Sequence, residues 1–339
     1  MPEPGRTGVV RLEFHTPQGT SGTVIAEGGP WTAPGPGLAE RPLYASDGST
    51  LMVQRAVTAD GGRIDGTAHR MLQNEIRAAL RVGRRHGAAH PDCLPRLVGY
   101  DLDAESPYLL CPPVAGRPVA GLAGQLLLGQ RHGFQTALFR ALVLLSEAEV
   151  VHAGLRPEVV HWDGRQVRLT GFGRSAAVGE SYREDVASLW MPPAAVRDAV
   201  ADPHDDVWAA GLVVAHVVTG LPVEQLAGGA GVPAESALAS LLDGVFRADP
   251  RRRPGAAQIL RRLGDQSRAE AAALDDAALD AGRAAFDAER AKKAGPPAPA
   301  PAAEPPSAPG DPGRLSPALL LALGVVLIGL TLIGWRVFG

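Results

Sequence analysis

Residues 151–173, VHAGLRPEVVHWDGRQVRLTGFG, decide how this chain is read. Asp163-Gly164 is a two-residue turn signal between two short alternating runs, so the middle of the stretch predicts a β-hairpin. A loop containing His152, Leu155, Pro157 and Glu158 precedes the hairpin, and Gly171-Phe172-Gly173 follows it. The acidic groups of the stretch are Glu158 and Asp163. His161, a lone histidine on its strand, reads as a core or rim residue.

The chain has 339 residues, enough for two average domains or one two-part domain with extensions. Its formal net charge of −3 and the lack of a dominant basic stripe exclude nucleic acid as the expected partner. Cys93 and Cys111 form no CxxC or metal-site spacing and suggest a reducing compartment. The first 20 residues hold no apolar run, so no signal peptide is expected at this end.

Working outward, residues 1–39 form a Gly/Pro-rich segment that is hard to place. GTSGTV at 19–24 reads either as an ordinary hairpin or as part of a glycine-rich loop, and GPG at 35–37 offers a rival register. LMVQRAV at 51–57 reads as a strand, and Met71, Leu72, Ile76, Ala79 and Leu80 recur at helical spacing within a helix over about 67–85. Two helical stretches are expected over 119–149, the second apolar enough to be buried, and another helix lies within DDVWAAGLVVAHVVTGLPV at 205–223. Residues 265–294 predict a charged, Ala-rich juxtamembrane helix and 295–314 a disordered Pro/Ala-rich linker. From Leu315 to Trp335 there is no charged residue over 21 positions, so a transmembrane helix is expected over 315–336. Such a run spans about 30 Å, the thickness of a hydrocarbon core. Lys292, Lys293 and Arg314 on its N-terminal side favour a cytoplasmic body.

The quoted stretch resembles the catalytic loop and metal-binding strand of the protein kinase superfamily, I-V-H-R-D-L-K-P-E-N followed by D-F-G. His152, Leu155, Pro157, Glu158, Phe172 and Gly173 fall in that register. The catalytic-base Asp is replaced by Gly154, its Arg neighbour by Ala153, the metal-binding Asn by Val159 and the D-F-G Asp by Gly171. Elsewhere Arg55, or Gln54 if the register slips by one, stands at the place of the strand lysine, and Glu75 stands 20 residues after Arg55, where the family's helix glutamate pairs with that lysine. PYLLCPPVAG at 107–116 is similar to the hinge, with Cys111 as gatekeeper and Pro112 and Val114 still offering a carbonyl and an N–H to a base. Asp206, Trp208 and Gly211 match the central helix, whose Asp caps the catalytic-loop backbone. Pro192-Pro193-Ala194 replaces A-P-E, so Arg253 in DPRRRPGA either finds another acceptor or reaches solvent.

The resemblance covers about residues 40–264 and is closest to the bacterial Ser/Thr kinases that join a cytoplasmic kinase domain to a membrane helix. It implies an α+β, two-lobed protein-kinase-like fold, with a small β-rich lobe carrying one helix, a larger helical lobe, and one C-terminal transmembrane helix. The only lysines of the chain are Lys292 and Lys293 and its only asparagine is Asn74, whereas a kinase needs a Lys on the phosphates and usually an Asn on its second metal. The implied protein is therefore a pseudokinase, with Gly154, Val159 and Gly171 as degenerate positions, no metal site and no required cofactor. Weak, metal-independent ATP contacts are expected at Arg55, Glu75, Pro112 and Val114. An unidentified protein partner and a single-pass membrane anchor complete the expectation. The rival is an atypical Ser/Thr kinase or other ATP-dependent transferase that uses Glu158 or Asp163.

Overall fold

The structure is a computed structural model that describes residues 8–33, 38–57, 59–60, 63–64, 66–182, 188–193, 199–226, 232 and 236–265. All of them belong to one unit, Met1–Ala281. The first half of the chain is built on strands: β1 (Val9–His15), β2 (Ser21–Gly28), β3 (Ala39–Tyr44), β4 (Thr50–Ala56), the short ribbon β5 (Ala59–Asp60) and β6 (Arg63–Ile64), helix α1 (Gly66–His86), then β7 (Gly99–Asp101) and β8 (Tyr108–Cys111). GTSGTV falls on the turn and second strand of the β1–β2 hairpin, where the Gly19 N–H donates to the Thr16 carbonyl. The rival GPG register lies outside the described residues.

Six of these strands close into a barrel in the order β1-β2-β3-β4-β8-β7. The seam is narrow, since β1 meets β7 through His15 and Tyr100. Alternation along each strand sends one set of side chains inward. Leu43, Met52, Ala56, Tyr108 and Leu110 fill the interior, with Val10, Leu12 and Phe14 packed against them. The Tyr108 hydroxyl donates to the Glu13 carbonyl and so ties β8 to β1. The other face of β4 and β8 meets α1, where Leu72, Ile76, Val57 and Leu109 are buried together. Helical periodicity explains this contact, because Ala68, Leu72, Glu75, Ile76, Ala79 and Val82 share one stripe of α1.

After the barrel come β9 (Arg117–Pro118), α2 (Leu128–Glu147), β10 (Val150–Val151), β11 (Val160–Trp162), β12 (Val167–Leu169), β13 (Ala176–Ala177), α3 (Pro203–Thr219), α4 (Val223–Leu226), α5 (Ala237–Leu241) and α6 (Ala256–Arg262). The Asp163-Gly164 turn joins β11 to β12, which pair antiparallel from Val160↔Leu169 to Trp162↔Val167. Phe134, Leu138, Phe139 and Leu142 of α2 pack with Leu212, Val213 and Val217 of α3. Helix α3 is apolar nearly all round, so it is enclosed. Asp202 caps its start by accepting the His204 N–H at 2.9 Å, and Gly220 ends it at φ 78°.

This architecture corrects the expected two-lobed kinase-like fold with a transmembrane helix. The strands of the first half do not form an open sheet: β7 returns to β1, which removes both free edges. Helices are few, with three of 17 to 21 residues and the rest of seven residues or fewer among the described residues. The expected single-pass membrane anchor and membrane localisation are not supported either, because no helix among the described residues is long and apolar enough to cross a membrane. The 315–336 run on which the anchor rested, the 295–314 linker and residues 266–294 of the charged helix lie outside the described residues.

Barrel closure depends on a small residue at the seam. A Cβ placed on Gly99 of β7 would collide with Phe14 Cδ2, and one on Gly22 of β2 would lie 2.6 Å from Phe14 Cε2. The Phe14 ring thus occupies the space that side chains at both neighbours would need. Gly99→Ala is expected to lower unfolding free energy by about 1–3 kcal/mol through overpacking, measured by urea denaturation, and Phe14→Leu in the same chain should recover part of that loss.

Candidate functional site

A cavity of about 560 Å³ lies between β4, β8 and α1 on one side and the segments around residues 90–97, 111–115 and 161–172 on the other. That volume is in the range of small-molecule sites. Strand alternation decides what faces it. On β4, Met52, Gln54 and Ala56 are buried, and Gln54 is spent on Arg41, whose Nε donates to Gln54 Oε1 at 2.8 Å. Val53 and Arg55 therefore line the cavity, and Gln54 does not.

Arg55 is held by two carboxylates. Its Nη1 donates to both Glu75 oxygens, at 3.0 and 2.8 Å, and its Nε donates to Glu40 Oε2 at 3.1 Å. Glu75, on α1, faces β4 because it lies on the buried stripe of the helix. Glu40 is the direct cross-strand partner of Arg55 in the β3–β4 register. The charge of Glu75 above all, with a smaller contribution from Glu40, raises the Arg55 pKa despite burial. Sequence reading identified Glu75 but missed Glu40. The missing signal was the β3–β4 register, which the rival placements of the glycine-rich segments left open.

Pro112 and Val114 line the same cavity with Cys111 and His161. The Cys111 thiol donates to the Val53 carbonyl at 3.7 Å, and burial pushes its pKa up to about 12, so it is a packing group rather than a nucleophile. Of the degenerate positions, Gly171 reaches the cavity, whereas Gly154 and Val159 are buried outside its lining. Gly171 has φ 72°, and a Cβ there would lie 2.7 Å from Val159 Cγ1. At the two positions where the kinase pattern has metal ligands, Val159 thus fills the space that a side chain at Gly171 would need. At Gly154 a side chain would meet the aliphatic part of Arg174 at 3.5 Å. A magnesium ion, which the kinase resemblance implies, does not fit this donor set. Among the described residues no group of three or more His, Cys, Asp or Glu could hold a metal ion.

The remaining acids of the quoted stretch are engaged elsewhere. Asp163 Oδ1 accepts the N–H groups of Arg165 and Gln166, each at 2.8 Å, and Oδ2 accepts Arg168 Nη1 at 2.6 Å. The Arg168 hydrogen bond, then these backbone bonds, hold the Asp163 carboxyl down at about 2. Glu158 is exposed and lies 3.4 Å from Arg156. Neither lines the cavity.

Beneath the site, Asp206 of α3 clamps the loop: its Oδ2 accepts the His152 N–H at 2.6 Å and its Oδ1 the Ala153 N–H at 3.0 Å. Ala153 sits at φ 55°, a left-handed conformation that costs a non-glycine residue about 1–2 kcal/mol. His152 Nε2 donates to the Thr170 carbonyl at 2.9 Å, and its ring lies 4.4 Å from that of Phe172. Burial lowers the His152 pKa to about 4 and raises that of Asp206 to about 7 against the pull of its two N–H donors. Arg253 finds an acceptor in Asp205, at 2.9 Å, and its Nε donates to the Arg247 carbonyl at 2.7 Å. Ala194, where the usual acceptor is missing, lies outside the described residues.

Comparison with known proteins adds a weak, partial likeness. No family model matches the chain. Over 164 residues, 44% of its length, it is 24% identical to the serine/threonine-protein kinase PDK1 of Cryptococcus neoformans var. grubii. Over 135 residues, 37% of its length, it is 28% identical to the fatty acid synthase subunit beta of Aspergillus oryzae. These matches span 13% and 7% of the two relatives. The first of them supports a weak, partial similarity to a protein kinase.

Two expected outcomes test this geometry. Gly171→Asp should lower stability by about 1–3 kcal/mol, because its Cβ enters the volume of Val159. A double-mutant cycle with Val159→Ala, read by urea denaturation, should return a favourable coupling of about 1 kcal/mol. The second outcome concerns pH. Between the ordinary carboxyl range and about 7 the folded Asp206 holds a proton that the unfolded chain releases, so its contribution favours the fold at low pH and is lost as pH rises. His152 acts oppositely: the unfolded imidazole takes up a proton below about pH 6.5. The buried ring resists protonation down to about 4, so stability falls as pH drops through that window. Asp206→Asn removes the first effect and leaves the second. The melting temperature of that variant should therefore rise more steeply from about pH 4.5 to about pH 7 than that of the parent chain.

Proposed function

We propose that this chain is a catalytically silent relative of protein kinases that acts in signalling as a regulatory or scaffolding module, working through a bound protein partner rather than by turnover. The observation that carries this reading is that Val159 Cγ1 occupies the space a side chain at Gly171 would need. Phosphoryl transfer depends on positioning and on neutralising charge, chiefly through metal ions held by side-chain oxygens. A valine and a glycine supply no such oxygen, and Gly154 supplies no base. The engagement of Asp163 by Arg168 and the place of Glu158 outside the cavity lining weigh against the rival transferase reading. Any nucleotide held in the cavity would be bound weakly and without help from metal, through the hinge-like backbone at Pro112 and Val114 and the Arg55–Glu75 pair.

The test is a phosphotransfer assay on the purified chain with radiolabelled ATP and magnesium or manganese, paired with ATP thermal-shift titrations with and without magnesium. The expected outcome is no label on the chain or on generic substrates, and no gain in thermal shift when magnesium is added. Metal-dependent transfer that survives contaminant controls, or a clearly magnesium-enhanced shift, would overturn the reading.

A further inference from the structure

Helix α1 carries a second face, turned away from the barrel. Arg70, Arg77, Arg81 and Arg84 stand seven, four and three residues apart, which keeps them within about 60° of one another round the helix. That arc lies opposite the buried stripe that packs on β4 and β8, and Arg70, Arg77 and Arg84 are exposed. Arg174 joins Arg70 and Arg77 at a small cleft between α1 and the segment after Gly173. Like charges three and four residues apart on a helix repel one another. The helix dipole favours Arg84 in the last turn but gives no such support to Arg70 near the start.

Nearby carboxylates answer this charge only in part. Glu180 lies 3.4 Å from Arg77 and Glu149 lies 3.7 Å from Arg81, long pairs near the surface of the kind that contributes little. Five arginines against those two acids leave the face with a net charge of about +3, in a chain whose total is −3. The last described residue, Asp265, is held on α2, where its Oδ2 accepts Arg140 Nε at 2.6 Å. The end of α1 rests on the same helix: Arg85 Nε donates to the Glu147 carbonyl and His86 Nε2 to the Leu144 carbonyl, each at 3.0 Å. Only about 10 Å of helix axis separates Arg140 from Glu147. Beyond Asp265 the sequence reads AEAAALDDAALDA at 269–281, with Glu270, Asp275, Asp276 and Asp280 and no basic residue. Five residues of extended chain reach about 17 Å, enough to carry Glu270 from Asp265 to the end of α1.

From this arrangement we infer that the arginine face of α1 is a docking surface whose occupant is the chain's own acidic stretch, residues 269–281. Four carboxylates meet a face of opposite sign, and the tether at Asp265 holds them at a higher effective concentration than an untethered acidic peptide would reach. The contact is electrostatic and lies at the surface, so salt weakens it. An external acidic partner reaches this face of α1 only by displacing the stretch. The inference goes beyond the catalytically silent reading and does not rest on it.

The test exploits the lack of lysine before residue 292, which lets one Arg→Lys change place a single side-chain amine on the described part of the chain without altering its charge. The full chain carrying Arg84→Lys, or Arg11→Lys on β1 for comparison, is treated with a carbodiimide at low protein concentration, and the amide links are mapped by mass spectrometry. Links within one chain from position 84 to Glu270, Asp275, Asp276 or Asp280 are expected at least about fivefold above those from position 11, and to fall toward that level in about 1 M salt. Asp275→Asn with Asp276→Asn, added to Arg84→Lys, should also lower the links to Glu270 and Asp280 by at least about threefold, because half the charge that docks the stretch is gone. Equal linking from positions 84 and 11, which leaves the face to an external acidic partner, overturns the inference. Linking found only in products of dimer mass, which gives the face to a second copy, overturns it too. Neither outcome touches the catalytically silent reading, which fails separately on metal-dependent phosphotransfer.

Discussion

A buried carboxylate on α3 holds the centre of this molecule together. Asp206 accepts two consecutive backbone N–H groups, of His152 and Ala153, and so keeps a left-handed residue in place under the cavity. The loop it clamps leads straight into the β11–β12 hairpin and on to Gly171, whose φ of 72° turns the chain beneath the cavity. His152 then ties the two ends of that segment, donating to the Thr170 carbonyl while its ring rests on Phe172. Unpaired, a carboxylate this deep would be strongly unfavourable; with both oxygens satisfied it trades a desolvation cost for a defined loop geometry.

The same economy of charge governs the cavity. The antiparallel pairing of β3 with β4 sets Glu40 opposite Arg55 by its register, while α1 brings Glu75 from the other side. The guanidinium gains two partners, through its Nε and Nη1. A cation at this position therefore works as an internal strut between the barrel and α1.

The local pieces were legible in the chain where chemistry is local. The Asp163-Gly164 turn, the helix around residues 67–85, the buried second helix before residue 150 and the apolar helix at 205–223 follow from turn propensity and from apolar spacing, and each has its counterpart in the structure. The pairing of Arg55 with Glu75 followed from a register carried by resemblance, and the geometry contains it. The closed barrel was not legible. Its closure rests on a single cross-strand pair, His15 with Tyr100, between strands separated by more than 80 residues, and no local pattern announces such a seam. Glu40 was missed for the same reason, since a cross-strand neighbour is defined by register and not by distance along the chain.

Sequence alone determined which groups are absent from this protein: no lysine before residue 292, and glycine or valine at the positions where the kinase pattern it resembles has carboxylates and an amide. Composition settles such absences because no fold can supply a side chain that the chain does not encode. Tertiary structure decided how the remaining groups are spent: Arg253 on Asp205, Gln54 on Arg41, Asp163 on its own hairpin, and Arg55 on two carboxylates at once. The physical reason is that charge pairing and desolvation act across a few ångströms of space, and only the folded chain sets which residues lie that close.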